Sequence, residues 1–203
     1  MNKWFKSRTM WLSALPAVIV LVSVLETTAT ISGPLLPYLF PPKSPDGVNP
    51  ALLGNWYQEF EFLDRGFIVH FQGTIQYFTN KTYRVTGDLK ATSTAPGIPF
   101  VIHYDYDGNG EWQATDAELV IKVINAEVPL SSTILGEKTI PAIDLGLPSD
   151  SPAMDLGPKF KLAQSQRYDI RSTSKDKIVL ETNGLYEDTF MINMTRTKRT
   201  YLR

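Results

Sequence analysis

From Gly54 onward the chain alternates. Trp56, Gln58, Phe60 and Phe62 fall on one side of an extended backbone, and Tyr57, Glu59 and Glu61 on the other. This is the period-two pattern of a strand with one buried and one wet face. Phe67, Val69 and Phe71 continue it, and the following Gly73 reads as a bulge. Asn80-Lys81 reads as a turn between runs 74–79 and 82–90. Runs 99–107 and 111–127 are rich in Val, Ile, Tyr and Trp, and runs 166–171, 177–182 and 189–197 follow. Eight or nine strands with turn signals between them, and no long amphipathic helix, predict an all-β fold. The expected form is a small antiparallel barrel or sandwich, either closed or left incomplete for a partner strand.

The first residues carry a different pattern. Lys3, Lys6 and Arg8 precede an apolar run from Met10 to Leu25, and Glu26 ends it. The run is short for a spanning helix, yet Trp4, Phe5 and Trp11 suit a membrane interface, and no clean small-residue cleavage site follows. Two readings stand, an uncleaved anchor and a signal peptide. The anchor is preferred: residues 1–9 cytoplasmic, 10–26 one transmembrane helix, and the remainder outside the cytoplasm. Residues 27–50 hold Pro34, Pro37, Pro41, Pro42, Pro45 and Pro50 and predict an extended linker to a domain over 51–203.

Within that domain residues 129–160 break the alternation. Five prolines lie there, and Pro141-Ala142-Ile143-Asp144-Leu145-Gly146 recurs as Pro152-Ala153-Met154-Asp155-Leu156-Gly157. The segment predicts a long loop. It either packs over the barrel through Ile143, Leu145, Met154 and Leu156, or gates a ligand or partner.

Asp105-Tyr106-Asp107-Gly108-Asn109-Gly110-Glu111-Trp112-Gln113-Ala114-Thr115-Asp116 carries most of a calcium-loop spacing. A calcium loop of that kind lies between helices, and both flanks here are strand-like. Asn109-Gly110 is a strong signal for a two-residue β-hairpin turn. The expectation is therefore a hairpin tip and no specific metal site.

Composition narrows the chemistry. The chain has 203 residues, 43% of them hydrophobic, with a formal net charge of −1. That balance gives no electrostatic footprint for direct nucleic-acid binding. With no cysteine and only His70 and His103, disulfides, thiolate metal sites and cysteine nucleophiles are excluded. No Ser-His-Asp set is visible, and Glu59, Glu61, Asp105 and Asp107 alternate without a paired acid–base setting, so neither an enzyme nor a cofactor is expected. The aromatics on the inner faces, Trp56, Phe60, Phe62, Phe71, Tyr77, Tyr83 and Trp112, are candidate ligand-binding residues. Core filling is the competing reading of the same pattern. The basic tail with Arg196, Lys198, Arg199 and Arg203 reads as a solvated end.

The order of motifs adds a resemblance. Tyr77-Phe78-Thr79-Asn80-Lys81-Thr82-Tyr83-Arg84-Val85 is followed by Gly110-x-Trp112, Asp116 and Leu119. Gln166-Arg167-Tyr168-Asp169-Ile170 and Lys177-Ile178-Val179-Leu180 come next. Behind a short basic N-terminus, this order resembles the ToxS family. Gly54-Asn55-Trp56 is also similar to the Gly-x-Trp start of lipocalin-like barrels. The resemblance implies a membrane-anchored periplasmic regulatory subunit that binds and stabilises a ToxR-like transmembrane activator. It implies a lipocalin-like barrel able to hold a bile salt or another amphipathic ligand. A stand-alone lipocalin-like binder and an envelope structural or assembly factor remain the alternatives.

Overall fold

The computed structural model describes residues 48–64, 66–95, 100–162, 165–183 and 189–198. The cytoplasmic segment, the anchor and nearly all of the linker expected from the sequence lie outside these residues. No helix among the described residues is long and apolar enough to cross a membrane.

Ten strands follow one another: β1 (Gly54–Asp64), β2 (Phe67–Tyr77), β3 (Thr82–Ser93), β4 (Phe100–Ala114), β5 (Glu118–Glu127), β6 (Leu130–Leu135), β7 (Lys138–Pro141), β8 (Ser165–Thr173), β9 (Lys177–Asn183) and β10 (Thr189–Arg196). One short helix, α1 (Gly157–Leu162), precedes β8. Eight of the strands form a ring in the order β3-β2-β1-β10-β9-β8-β5-β4, and β4 returns to β3. All neighbours are antiparallel. The sequence left open an incomplete ring awaiting a partner strand. The structure corrects that: β3 and β4 are paired continuously from Thr82↔Glu111 to Thr92↔Val101. Closure removes the edges that an open barrel would present.

The Asn109-Gly110 hairpin is also overturned. Both residues lie inside β4, a single strand of 15 residues. The chain reverses later, at Thr115–Ala117, where the Thr115 Oγ1 accepts from the backbone N–H groups of Ala117 and Glu118. The irregularity left at Asn109/Gly110 is a shift in the β4–β5 register. Tertiary contact explains the glycines. A Cβ at Gly110 would stand 1.9 Å from the Lys122 carbonyl oxygen and 2.8 Å from the Tyr83 ring, and one at Gly108 would stand 2.8 Å from the Tyr106 ring. Glycine is there for the close approach of backbone and ring. Gly73 is not a bulge: its register is unbroken, opposite Gly87 on β3 and Gln58 on β1.

Residues 129–160 are more ordered than a loop. After β5 the chain continues along β4 as β6, which pairs with the N-terminal part of β4 from Tyr104↔Leu130 to Phe100↔Leu135. β6 then turns back as β7. The two copies of the repeat take different shapes. Ala142–Leu145 forms a 3₁₀ turn with Leu145 buried and Ile143 87% exposed. In the second copy Ala153 and Leu156 are buried, and the Asp155 carboxylate accepts from the backbone N–H groups of Val128 and Gly157. That acceptor anchors the start of α1, which packs on β5.

Candidate binding site in the barrel lumen

Strand alternation sends one set of side chains into the ring. On β4 these are Phe100, Ile102, Tyr104, Tyr106, Gly108, Gly110, Trp112 and Ala114, all buried. On β1 they are Trp56, Gln58, Phe60, Phe62 and Asp64. The two ends of the ring differ in how tightly they are filled.

One end is sealed. Three short turns cross it, and the 3₁₀ turn Pro50–Leu52 lies over it, capped by Asn49. Asn49 accepts from the Ala51 N–H and donates its Nδ2 to the Thr115 carbonyl, so the domain begins within the segment the sequence assigned to the linker. Trp56 is fully buried here and donates Nε1 to the Leu52 carbonyl at 2.7 Å. Arg196 sits over the Trp56 ring with its Cζ 4.1 Å from the centroid. Its Nη1, Nη2 and Nε donate to the carbonyls of Leu53, Ala51 and Lys175. Gly54 has φ +106°, and a Cβ there would meet the Arg196 Nη1 at 2.9 Å. The Gly-x-Trp pattern thus has a mechanical reason: the glycine lets the arginine reach the tryptophan. Arg196 is solvent-exposed, as the sequence suggested, but these contacts tie it down and correct the reading of it as part of a frayed end. Trp112 belongs to this end too, donating Nε1 to the Phe78 carbonyl and meeting the Tyr77 ring at 5.2 Å.

The other end is lined by phenylalanine. Phe60 lies 5.2 Å from Phe71, 6.3 Å from Phe62 and 5.6 Å from Phe190, and Phe62 lies 5.1 Å from Phe190. Phe60, Phe62 and Phe190 face inward yet are only half-buried. Inward side chains that still meet solvent define a mouth.

Between the two ends lies a belt of tyrosines. Tyr77 and Tyr83 have ring centroids 6.4 Å apart, and Tyr106 meets Phe71 and Phe160 edge-on. Burial pushes the hydroxyls of Tyr77, Tyr83, Tyr104 and Tyr168 well above the usual tyrosine value. It pushes Tyr106 up to about 12, with a further contribution from Asp107. Tyr168 enters from β8 close enough to act electrostatically on Tyr77 and Tyr83, so hydroxyls from facing walls share one region. Tyr168 donates to the Gln166 side chain.

The seven residues proposed from the sequence all point inward. Trp56, Tyr77, Tyr83, Phe71 and Trp112 are buried, and Phe60 and Phe62 are half-buried. They belong to one continuous core, with Trp56, Tyr77, Tyr83 and Trp112 in the sealed half and Phe60, Phe62 and Phe71 at the mouth. Phe190, Tyr104, Tyr106, Tyr168 and Phe160 were missed. Phe190-x-Ile192-x-Met194 and Phe100-x-Ile102-x-Tyr104-x-Tyr106 carry the same alternation that revealed β1. Phe160 has no such signal, because it reaches Tyr106 from a short helix and not from a strand.

The acids of the calcium-like pattern lie along one extended strand and its turn. Asp107 points outward and pairs with Arg84 at 2.9 Å, and Asp116 is at the exposed turn. Among the described residues no three His, Cys, Asp or Glu side chains converge as metal ligands would. His70 and His103 sit on outward positions of β2 and β4. His70 Nε2 lies 3.3 Å from the Glu59 carboxylate. Partial burial, then Lys90, lowers the His103 pKa.

The fold and lumen define the chain as a closed all-β antiparallel barrel. No protein-family model matches the chain, and no curated protein matches it.

Proposed function

We propose that the barrel is a binding module for an amphipathic small molecule, admitted at the phenylalanine mouth and stopped by the tryptophan-sealed end. The supporting observation is that Phe60, Phe62 and Phe190 point inward and remain half-exposed, at the entrance to a lumen whose far end is fully packed. A barrel of about eight strands has room for side chains or one small ligand. Aromatic walls with a few polar groups are the usual lining of such a site. The test is titration with an environment-sensitive apolar fluorophore. Wild type should bind it, and Phe62→Ala should weaken binding about tenfold, the affinity equivalent of a lost aromatic contact. No enhancement of fluorescence by the wild-type protein would refute the reading.

A regulatory role is the second reading, and a surface feature favours it. Leu63 and Ile68 are directly paired across β1 and β2, both exposed on the outer wall, and Met191 is exposed on the adjoining β10. In the ToxS-like reading the partner is a ToxR-like membrane activator in the periplasm, with ligand occupancy modulating the pair. Since the ring is closed, such a partner would dock on this outer apolar patch rather than add a strand. Co-purification that survives Leu63→Glu and Ile68→Glu would exclude this surface.

A further inference from the structure

Tyr104 is the feature of the lumen that the packing leaves unexplained. It lies on the inward face of β4 between Ile102 and Tyr106 and is 1% exposed. Its hydroxyl has no hydrogen-bond partner among the described residues. Strand pairing links it to the aromatics of the mouth: its partner Leu89 pairs with Phe71, which pairs with Phe60. Nearly every buried hydroxyl in a folded protein is paired, since leaving one unpaired carries its full desolvation cost. An apolar residue of the same shape would avoid that cost entirely.

The charges of the wall give the second observation. Along the eight strands of the ring, inward positions carry tyrosine hydroxyls, Gln58 and Gln166. The charged residues on that parity are Asp64, at the last position of β1 beside the mouth, and Arg196. Arg196 is already committed to three carbonyls and the Trp56 ring at the sealed end. Among the described residues, the strand wall therefore offers neutral donors and acceptors and no cation besides the committed Arg196. A carboxylate or sulfate drawn inside would lose its hydration without a counter-charge from that wall. Hydroxyl and ester groups would exchange water for tyrosine without that loss.

Resting on the binding reading above, we infer that the ligand is a neutral amphipath with hydroxyl or ester oxygens, of the monoacylglycerol or sterol-alcohol type, and that the Tyr104 hydroxyl pairs with one of those oxygens. Burial holds that hydroxyl in its neutral, donating form. On this basis the anionic end of a bile salt would have to stay outside the mouth.

The experiment compares two probes with the same apolar chain, monolaurin and laurate, as competitors of a bound naphthylamine fluorophore on the purified full chain at pH 8. Monolaurin should displace the fluorophore at about tenfold lower concentration than laurate, the equivalent of roughly one net hydrogen bond. Tyr104→Phe should narrow the preference by weakening monolaurin alone. Its denaturant midpoint should stay level or rise, because the variant removes an unpaired buried hydroxyl. Equal or tighter binding of laurate by the wild type overturns the inference, as does a Tyr104→Phe protein that keeps the full preference. Failure of the fluorophore to bind at all refutes the binding reading itself, a result distinct from loss of the preference.

Discussion

The sealed end and the mouth use the same residue class for opposite purposes. At the sealed end, Trp56 and Trp112 each bury their rings and also spend their indole N–H groups on backbone carbonyls. At the mouth, Phe60, Phe62 and Phe190 stack on one another with no polar atom to satisfy and part of each ring still exposed. An aromatic with a polar handle, fully buried and tied to the backbone, fixes a structure. An aromatic without one, left half-open, holds area in reserve for something else to cover. The contrast separates core filling from ligand contact within what the sequence presents as one uniform stripe.

The largest effect that tests this comparison is alkaline. Tyr77, Tyr83, Tyr104 and Tyr106 are buried between the two ends, and all have raised pKa values. Above pH 10 the unfolded chain releases those protons while the folded chain keeps them. Stability therefore falls as pH rises, by about 1.4 kcal/mol per group per pH unit. One unit above 10 the four together remove on the order of 5 kcal/mol, comparable with the whole stability of many domains. Tyrosinate absorbance and loss of the folded signal should rise together. Tyrosinate appearing well before unfolding would mean the belt is open to water and the two ends are not joined by a dry interior.

Smaller effects compare the ends directly. Trp56→Ala should destabilise by about 3–5 kcal/mol, as expected for deletion of a large buried aromatic, and it also leaves Arg196 without its platform. Phe62→Ala should cost about 1–2 kcal/mol, because much less area returns to water, while carrying the larger loss of ligand affinity. Urea midpoints measured alongside fluorophore titration decide the matter. If Phe62→Ala proves as destabilising as Trp56→Ala, the mouth is core and the distinction between the ends collapses.

Much of this architecture was legible. The strands around Trp56–Phe62, the Asn80-Lys81 turn and the last three strands were read from alternation, since a sheet with one buried face writes its period directly into the sequence. All seven candidate lumen residues face inward for the same reason. What misled was local chemistry overruled by long-range contact. Asn109-Gly110 has the composition of a tight turn, and the reason it is strand instead is the Lys122 carbonyl and the Tyr83 ring lying against Gly110. Arg196 resembled a frayed basic tail because its partners, Leu53 and Ala51, lie more than 140 residues earlier. Tyr104 could be placed by its alternation with Ile102 and Tyr106. That its hydroxyl would be left unpaired depends on every neighbouring wall at once, which no window of sequence contains.

The pairing of β1 with β10 has a kinetic consequence. Most neighbours in the ring are hairpins or nearby segments, but Trp56↔Arg196 joins positions 140 residues apart. Closing so large a loop must wait until other strands have shortened the effective separation, because the entropy of the connecting chain opposes it. We infer that this seam assembles last and, in reverse, parts first. Arg196 contacts then belong to the native side of the folding barrier, so Arg196→Ala should raise the unfolding arm of a chevron and leave the refolding arm in place. An equal slowing of refolding would put the seam in the nucleus instead. On the expected outcome Arg196 acts as a latch: it sets how long the ring stays shut once formed, and has little say in how quickly it forms.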